Sequence, residues 1–215
     1  MKQNYGRLFD EKLEQLRKTG ERPRLLLHAC CAPCSSHCLE VLSECFDITV
    51  FFYNPNISPE KEFSFRLSEL NRFLKDADYP DVSVLAPPYD PAPFLEMARG
   101  LESLPEGGER CRKCYELRLR RTAEAAKEGG FELFTTTLSI SPYKNAQWLN
   151  EIGAALSDET GVGWLYSDFK KKNGYKRSIE LSRQFCLYRQ DYCGCAFSRA
   201  ERDRKRAETA SESLT

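Results

Sequence analysis

Eight of the ten cysteines in this 215-residue chain fall into three tight groups that lie far apart in sequence. His28-Ala29-Cys30-Cys31-Ala32-Pro33-Cys34 is the first, with Cys38 one helical turn further on. Cys111-Arg112-Lys113-Cys114 is the second and Cys193-Gly194-Cys195 the third. Any fold in which these groups act together must bring three distant segments to one place. A disulfide scaffold would need a cysteine share of roughly 8–10%, which ten in 215 does not reach. Met1 to Glu14 lack the apolar centre of a secretory signal, so the expected setting is cytoplasmic, where thiols stay reduced. Grouped thiols in such a compartment point to metal or redox chemistry.

Between the groups, short apolar runs alternate with helical patterns. Arg24–Ala29, Asp47–Tyr53, Val82–Leu85, Glu132–Leu138 and Trp164–Phe169 read as strands. Residues 4–19, a segment from Pro33 to Glu44, Ser58 to Asp76, 91–99, Cys111–Glu128, a segment capped by Ser141-Pro142, and 176–190 read as helices. This alternation predicts an α/β fold with an open, mostly parallel sheet flanked by helices, Rossmann-like and nucleotide-hydrolase-like in architecture. In such sheets ligands bind beyond the carboxyl ends of the strands. Cys30-Cys31, Asn54 and Asn56, Thr137–Ser141 and Asp168 all fall there. The expected organisation is an N-terminal helical extension (1–22), one catalytic domain (23–198) and a charged tail (199–215) that frays. No run approaches the ~18 apolar residues of a membrane helix, so no membrane partner is expected.

The thiols allow several chemistries. A helix N-terminus lowers thiol pKa and welcomes an anionic group, which suits the first two groups. Four thiolates hold either zinc or an iron–sulfur cluster, and ligand type alone does not separate them. Cys30 and Cys31 can face one cluster only where the strand has broken; otherwise one serves the cluster and the other a second metal with Cys34. Cys193-Gly194-Cys195 reads as a redox-active pair or as ligands of a second metal. Cys38, Cys45 and Cys186 read as core residues, and His28 and His37 as structural ones. Lys+Arg and Asp+Glu number 32 each, which excludes a nucleic-acid binder that works by bulk charge. No glycine-rich phosphate loop is present, which argues against nucleotide activation.

Six blocks, LLLHACCAPCS (25–35), FFYNPNISP (51–59), ERCRKCYELRL (109–119), FTTTLSISPYK (134–144), SDFKKKNGY (167–175) and YRQDYCGCAFS (188–198), resemble the cobalamin-independent epoxyqueuosine reductases of the QueH type. The resemblance covers about Leu25 to Ser198. It implies reduction of the epoxide of epoxyqueuosine to queuosine, in tRNA with a GUN-type anticodon, by an iron–sulfur enzyme fed by an electron donor that the sequence does not identify. It implies 4Fe-4S ligands at Cys30, Cys31, Cys111 and Cys114, and a redox pair at Cys193 and Cys195. A second metal ion, iron or zinc, beside the cluster and the role of Cys34 are left open.

Zero net charge requires local patches for RNA. Lys170, Lys171, Lys172, Lys176 and Arg177 form one candidate, and Arg110, Arg112, Lys113, Arg118, Arg120 and Arg121 a second. Tyr53, Asn54 and Asn56 read as contacts to a modified base or as an ordinary turn. Asp168 reads as a proton donor, a ligand or a loop cap. Tyr188, Gln190 and Tyr192 read as pocket lining or as packing. Competing functions are an iron–sulfur tRNA sulfur-transferase, which needs ATP, a zinc-stabilised RNA-binding module, and a thiol–disulfide oxidoreductase, which needs one exposed C-x-x-C.

Overall fold

A computed structural model of the chain describes residues 3–212. Met1 and Lys2 of the expected extension and Ser213 to Thr215 of the expected tail lie outside the described residues. Five strands, β1 (Arg24–His28), β2 (Asp47–Phe51), β3 (Ser83–Leu85), β4 (Leu133–Thr136) and β5 (Gly163–Trp164), form one all-parallel sheet in the order β3-β2-β1-β4-β5. Eight helices flank it: α1 (Tyr5–Thr19), α2 (Ala32–Leu42), α3 (Glu60–Asp76), α4 (Ala92–Ala98), α5 (Glu109–Glu128), α6 (Ala146–Thr160), α7 (Gly174–Gln184) and α8 (Ala196–Glu212).

Strand β1 is the keel. Leu25, Leu26 and Leu27 are fully buried, as an apolar run covered on both faces requires. The pleat sends Leu25 and Leu27 into a core shared with α1, α2 and α3, and Leu26 into a second core with α5 and α6. Each such side chain contributes roughly 1.5–3 kcal/mol of burial. On the far edge, Gly153 lets α6 lie against β5, because a Cβ there would fall 2.2 Å from the Trp164 ring.

Several boundaries differ from expectation, each for a local reason. Strand β4 stops at Thr136, whose hydroxyl accepts from Leu138 N and turns the chain into a short 3-10 turn at Thr137–Ile140. Asn145, not Ser141-Pro142, caps α6 by accepting from Gln147 N and Trp148 N. Helix α7 ends at Gln184, and residues 185–195 cross the molecule without regular structure. The tail is helical over its described length, and Arg202 and Arg206 of α8 both pair with Asp191.

Chain order reverses at β1, whose neighbours are β2 and β4. The crevice beyond the carboxyl ends of β1 and β4 is therefore the ligand position of this architecture. Cys30 and Cys31 leave β1 into it.

A candidate metal centre of thiols and buried cations

Strand β1 ends at His28, so the chain is free to turn both adjacent cysteines toward one space. Cys31 is the N-cap of α2 and Cys34 lies in its first turn. The Cys30 and Cys31 sulfurs are 3.7 Å apart, and with Cys34 all three lie within 4.8 Å of one another. Such spacing suits soft thiolate ligation of a metal, with Zn–S bonds of about 2.3 Å as the scale. Cys111 shares a buried cluster with Cys30, Cys31 and Tyr115, while Cys114 packs with Cys195 and Phe94. All three sequence groups thus meet. The ten cysteines are free, so Cys193 and Cys195 stand as a dithiol. Gly194 joins them at φ 118°, a backbone that only glycine adopts without strain. Cys38 and Cys45 are core residues as expected; Cys186 is exposed instead, where the chain leaves α7.

Buried cations surround these thiols. Arg118 lies four residues after Cys114 on the same face of α5 and is 1% exposed. Its guanidinium donates to Asn54 Oδ1 at 2.6 Å and to His28 Nε2 at 3.3 Å. Nε2 faces both that guanidinium, which only donates, and the Tyr53 carbonyl at 3.2 Å, which only accepts, and Nδ1 lies 2.8 Å from Thr136 Oγ1, so the contacts do not single out one tautomer. Burial, with Arg118 beside it, depresses the His28 pKa to about 3. Among the described residues Arg118 pairs with no carboxylate. Burial opposes its charge, and Cys114, Cys30 and Cys193 outweigh that penalty. Arg66 of α3, also 1% exposed, pairs with Glu62 at 2.8 Å and donates to the Cys193 carbonyl at 3.2 Å; its Nη2 has no partner. Lys144 Nζ sits 3.0 Å from Cys193 Sγ and 3.5 Å from Glu106 Oε1.

The thiols respond to hydrogen bonds, burial and charge. Bonds from Cys30 and Cys34, with Arg66 and Gln190 adding, hold Cys31 well below the usual thiol range. Bonds with Cys30 and Cys31 push Cys34 up. Burial raises Cys114 to about 11 and Cys195 to about 12. Gly107 N donates to Cys111 Sγ at 3.3 Å and Ser198 N to Cys195 Sγ at 3.3 Å.

The remaining expected residues divide. Gln190 Nε2 donates to Cys31 Sγ at 3.2 Å. Asn54 is 1% exposed, with its amide spent on the Ala29 carbonyl and on Arg118. Asn56 is buried with Oδ1 unpartnered, and Tyr53 is half-buried on the Phe51 ring. Tyr188 turns away, edge-on to Phe65 of α3 at 4.9 Å. Asp168 engages Lys170 at 2.7 Å, and its backbone carbonyl accepts from Lys171 N. With Lys171 and Lys172 it lines a separate cavity of about 720 Å³ against the start of α1. Lys172 pairs with Asp10 and Arg177 with Glu40, while Lys171 and Lys176 have no carboxylate partner among the described residues, so that loop is neutralised in part.

The second basic patch is corrected too. Arg118 faces the thiols, and Arg110 is buried, donating to the carbonyls of Leu101, Glu102 and Leu104. Lys113, Arg120 and Arg121 pair with glutamates. Lys144, Glu106, Arg66 and Ser198 were not singled out from sequence. Lys144 ends the FTTTLSISPYK block, which was the available signal, whereas Arg66 sits in an ordinary amphipathic helix that gave none.

The sequence model described as "Epoxyqueuosine reductase QueH" matches residues 25–201 of the chain. A protein of that name from Staphylococcus epidermidis is 42% identical over 200 residues, covering 91% of this chain and 84% of the relative. One from Streptococcus pyogenes serotype M1 is 42% identical over 198 residues, covering 91% and 78%. One from Staphylococcus aureus is 40% identical over 200 residues, covering 91% and 83%.

Proposed function

Because the chain belongs to the epoxyqueuosine reductase QueH family, we propose that it is an oxidoreductase that converts the epoxide of epoxyqueuosine in tRNA to the alkene of queuosine. The observation that carries the chemical part of this reading is Arg118. A guanidinium that is 1% exposed and has no carboxylate partner among the described residues costs several kcal/mol unless another anion balances it. The groups that can carry negative charge beside it are the sulfurs of Cys30, Cys114 and Cys193. Cys114, pushed up by burial, and Cys30, pushed up by its bond with Cys31, are a poor counter-charge when protonated, and a good one as metal-bound thiolates.

Cys30, Cys31, Cys111 and Cys114 would hold a 4Fe-4S cluster, whose chemistry when bound is single-electron transfer. Cys34, in contact with Cys30 and Cys31, is the residue left for a second ion. Opening the epoxide to an alkene breaks two C–O bonds and releases water, taking up two electrons and two protons. Oxidation of the Cys193–Cys195 dithiol to a disulfide supplies two of each, and an external reductant must then restore the dithiol. Lys144 holds an ammonium proton at Cys193 Sγ, and Glu106, part-exposed, links that ammonium toward solvent. The unpartnered Arg66 Nη2, Gln190 Oε1, Thr137 Oγ1 and Asn56 Oδ1 are buried polar atoms of a kind that seek a ligand.

The test is turnover on tRNA carrying epoxyqueuosine, under anaerobic conditions with a chemical reductant. Conversion to queuosine is expected. Replacing Cys193 with Ser should abolish it while iron content stays at the parent level; full turnover by C193S removes the pair from the reaction.

A further inference from the structure

We propose that Tyr143, with Arg112 on the face of Trp148, forms a stacking platform for an unpaired RNA loop at the mouth of the thiol centre. The proposal rests on the tRNA reading above and names the surface that would grip the substrate.

Tyr143 is 77% exposed, the most exposed large hydrophobic residue among those described. Such a ring, apolar on its faces and wet at its hydroxyl, is the kind of side chain that serves as a contact surface. It is also pre-set rather than dangling. Ser141 Oγ accepts from Tyr143 N at 3.3 Å, and Ser141 O accepts from Lys144 N at 3.2 Å. This tight turn sends Lys144 inward to Cys193 and Tyr143 outward. A base stacked on Tyr143 would therefore lie beside the turn residue that touches the reacting dithiol.

Two residues beyond Tyr143, Asn145 caps α6 and fixes Trp148 in its first turn. Trp148 packs against the cluster that contains Cys30, Cys31 and Cys111. The Arg112 guanidinium lies 5.8 Å from the centre of its ring. Arg112 is exposed and neighbours Cys111 in α5, yet among the described residues it has no carboxylate partner. This is the inverse of Lys170, Lys172 and Arg177, whose charges are spent on Asp168, Asp10 and Glu40. A free guanidinium on an indole and a free phenol ring suit a phosphate and a splayed base, the contacts by which proteins take single-stranded RNA loops.

The experiment is fluorescence anisotropy of the full chain with an unmodified RNA hairpin bearing a seven-nucleotide loop, at several salt concentrations. Tyr143→Ala should weaken binding roughly tenfold or more, and Tyr143→Trp should restore it, while the thermal midpoint stays unchanged. Arg112→Gln should lower the slope of log K against log salt by about one contact's worth. A blunt RNA duplex without a loop should bind Tyr143→Ala and the parent alike. If the parent binds the hairpin and Tyr143→Ala binds it equally well, the platform is overturned and the tRNA reading survives. If Tyr143→Ala leaves RNA binding intact but slows reduction by a protein electron donor, the surface belongs to that donor and the proposal falls. If the parent binds no RNA, the tRNA reading fails and takes the platform with it.

Discussion

The thiol centre beyond β1 and β4 and the cavity under α1 are both rimmed by basic side chains, and the two balance those charges differently. In the cavity, Lys172 meets Asp10 at 2.7 Å, and the lining residue Asp168 meets Lys170 beside it at the same distance. These are ordinary pairs, worth about 0–1 kcal/mol where solvent reaches them. At the thiol centre, Arg118 has no carboxylate partner among the described residues, Arg66 keeps one nitrogen unpartnered beside its pair with Glu62, and Lys144 lies nearer the Cys193 sulfur than the Glu106 carboxylate. A cation is stable in so dry a place only against anions of the same place. Basic residues count as a functional signal where their charge is left for a ligand, not where they are most numerous.

The sharpest way to break this contrast is at Arg118. Arg118→Met leaves Asn54 Oδ1 without its guanidinium donor and the sulfurs of Cys30, Cys114 and Cys193 without their neighbouring cation. We expect a loss of about 3 kcal/mol or more in denaturant unfolding, with iron content falling toward zero. A variant that keeps both parent stability and parent iron would dissolve the argument from buried charge. Next comes Lys144→Met, which removes the proton-bearing group at Cys193. Turnover on epoxyqueuosine-containing tRNA should fall by on the order of a hundredfold, with iron unchanged.

How much of this was open to reading from sequence follows from the same physics. The alternation of runs such as Leu25-Leu26-Leu27 with amphipathic helices is a local signal, and the parallel sheet and the meeting of three cysteine groups follow from it. Strand lengths were read too long at β4 and β5 because single hydroxyls and loops end them, as Thr136 does. The fate of each charge was hidden. Arg118 and Arg120 are two residues apart on one helix, but 100° per residue turns one to the thiols and the other to Glu159. Position four after Cys114 was the available clue. The engagement of Asn54 was hidden because its partners, the Ala29 carbonyl and Arg118, come from other segments. Cys186, read as core, is exposed because α7 ends two residues before it.

Smaller effects sharpen the other side of the comparison. Replacing Lys170 and Lys172 together with Met should change RNA-hairpin affinity less than about threefold, since each is already paired, and stability by no more than about 1 kcal/mol per pair. A tenfold loss of RNA affinity would return that loop to the binding surface. The smallest effect concerns Glu69, which holds Arg72 at 2.8 Å and accepts from Tyr188 N at 3.2 Å, pinning the strap over residues 185–188 to α3. The Arg72 bond depresses the Glu69 pKa below 4.5 in the fold. Its stabilisation is therefore complete above about 4.5 and is lost as pH falls through the lowered folded value. Glu69→Gln should remove that acid-side slope in a pH series of denaturation midpoints, at a cost below about 1 kcal/mol near neutrality.

The central claim is that the buried cations balance thiolates bound to an iron–sulfur cluster. Iron, acid-labile sulfide and zinc should be measured on protein prepared without oxygen. The account predicts about four irons and about four sulfides per chain, beyond any ion held through Cys34. Zinc with no sulfide would contradict it.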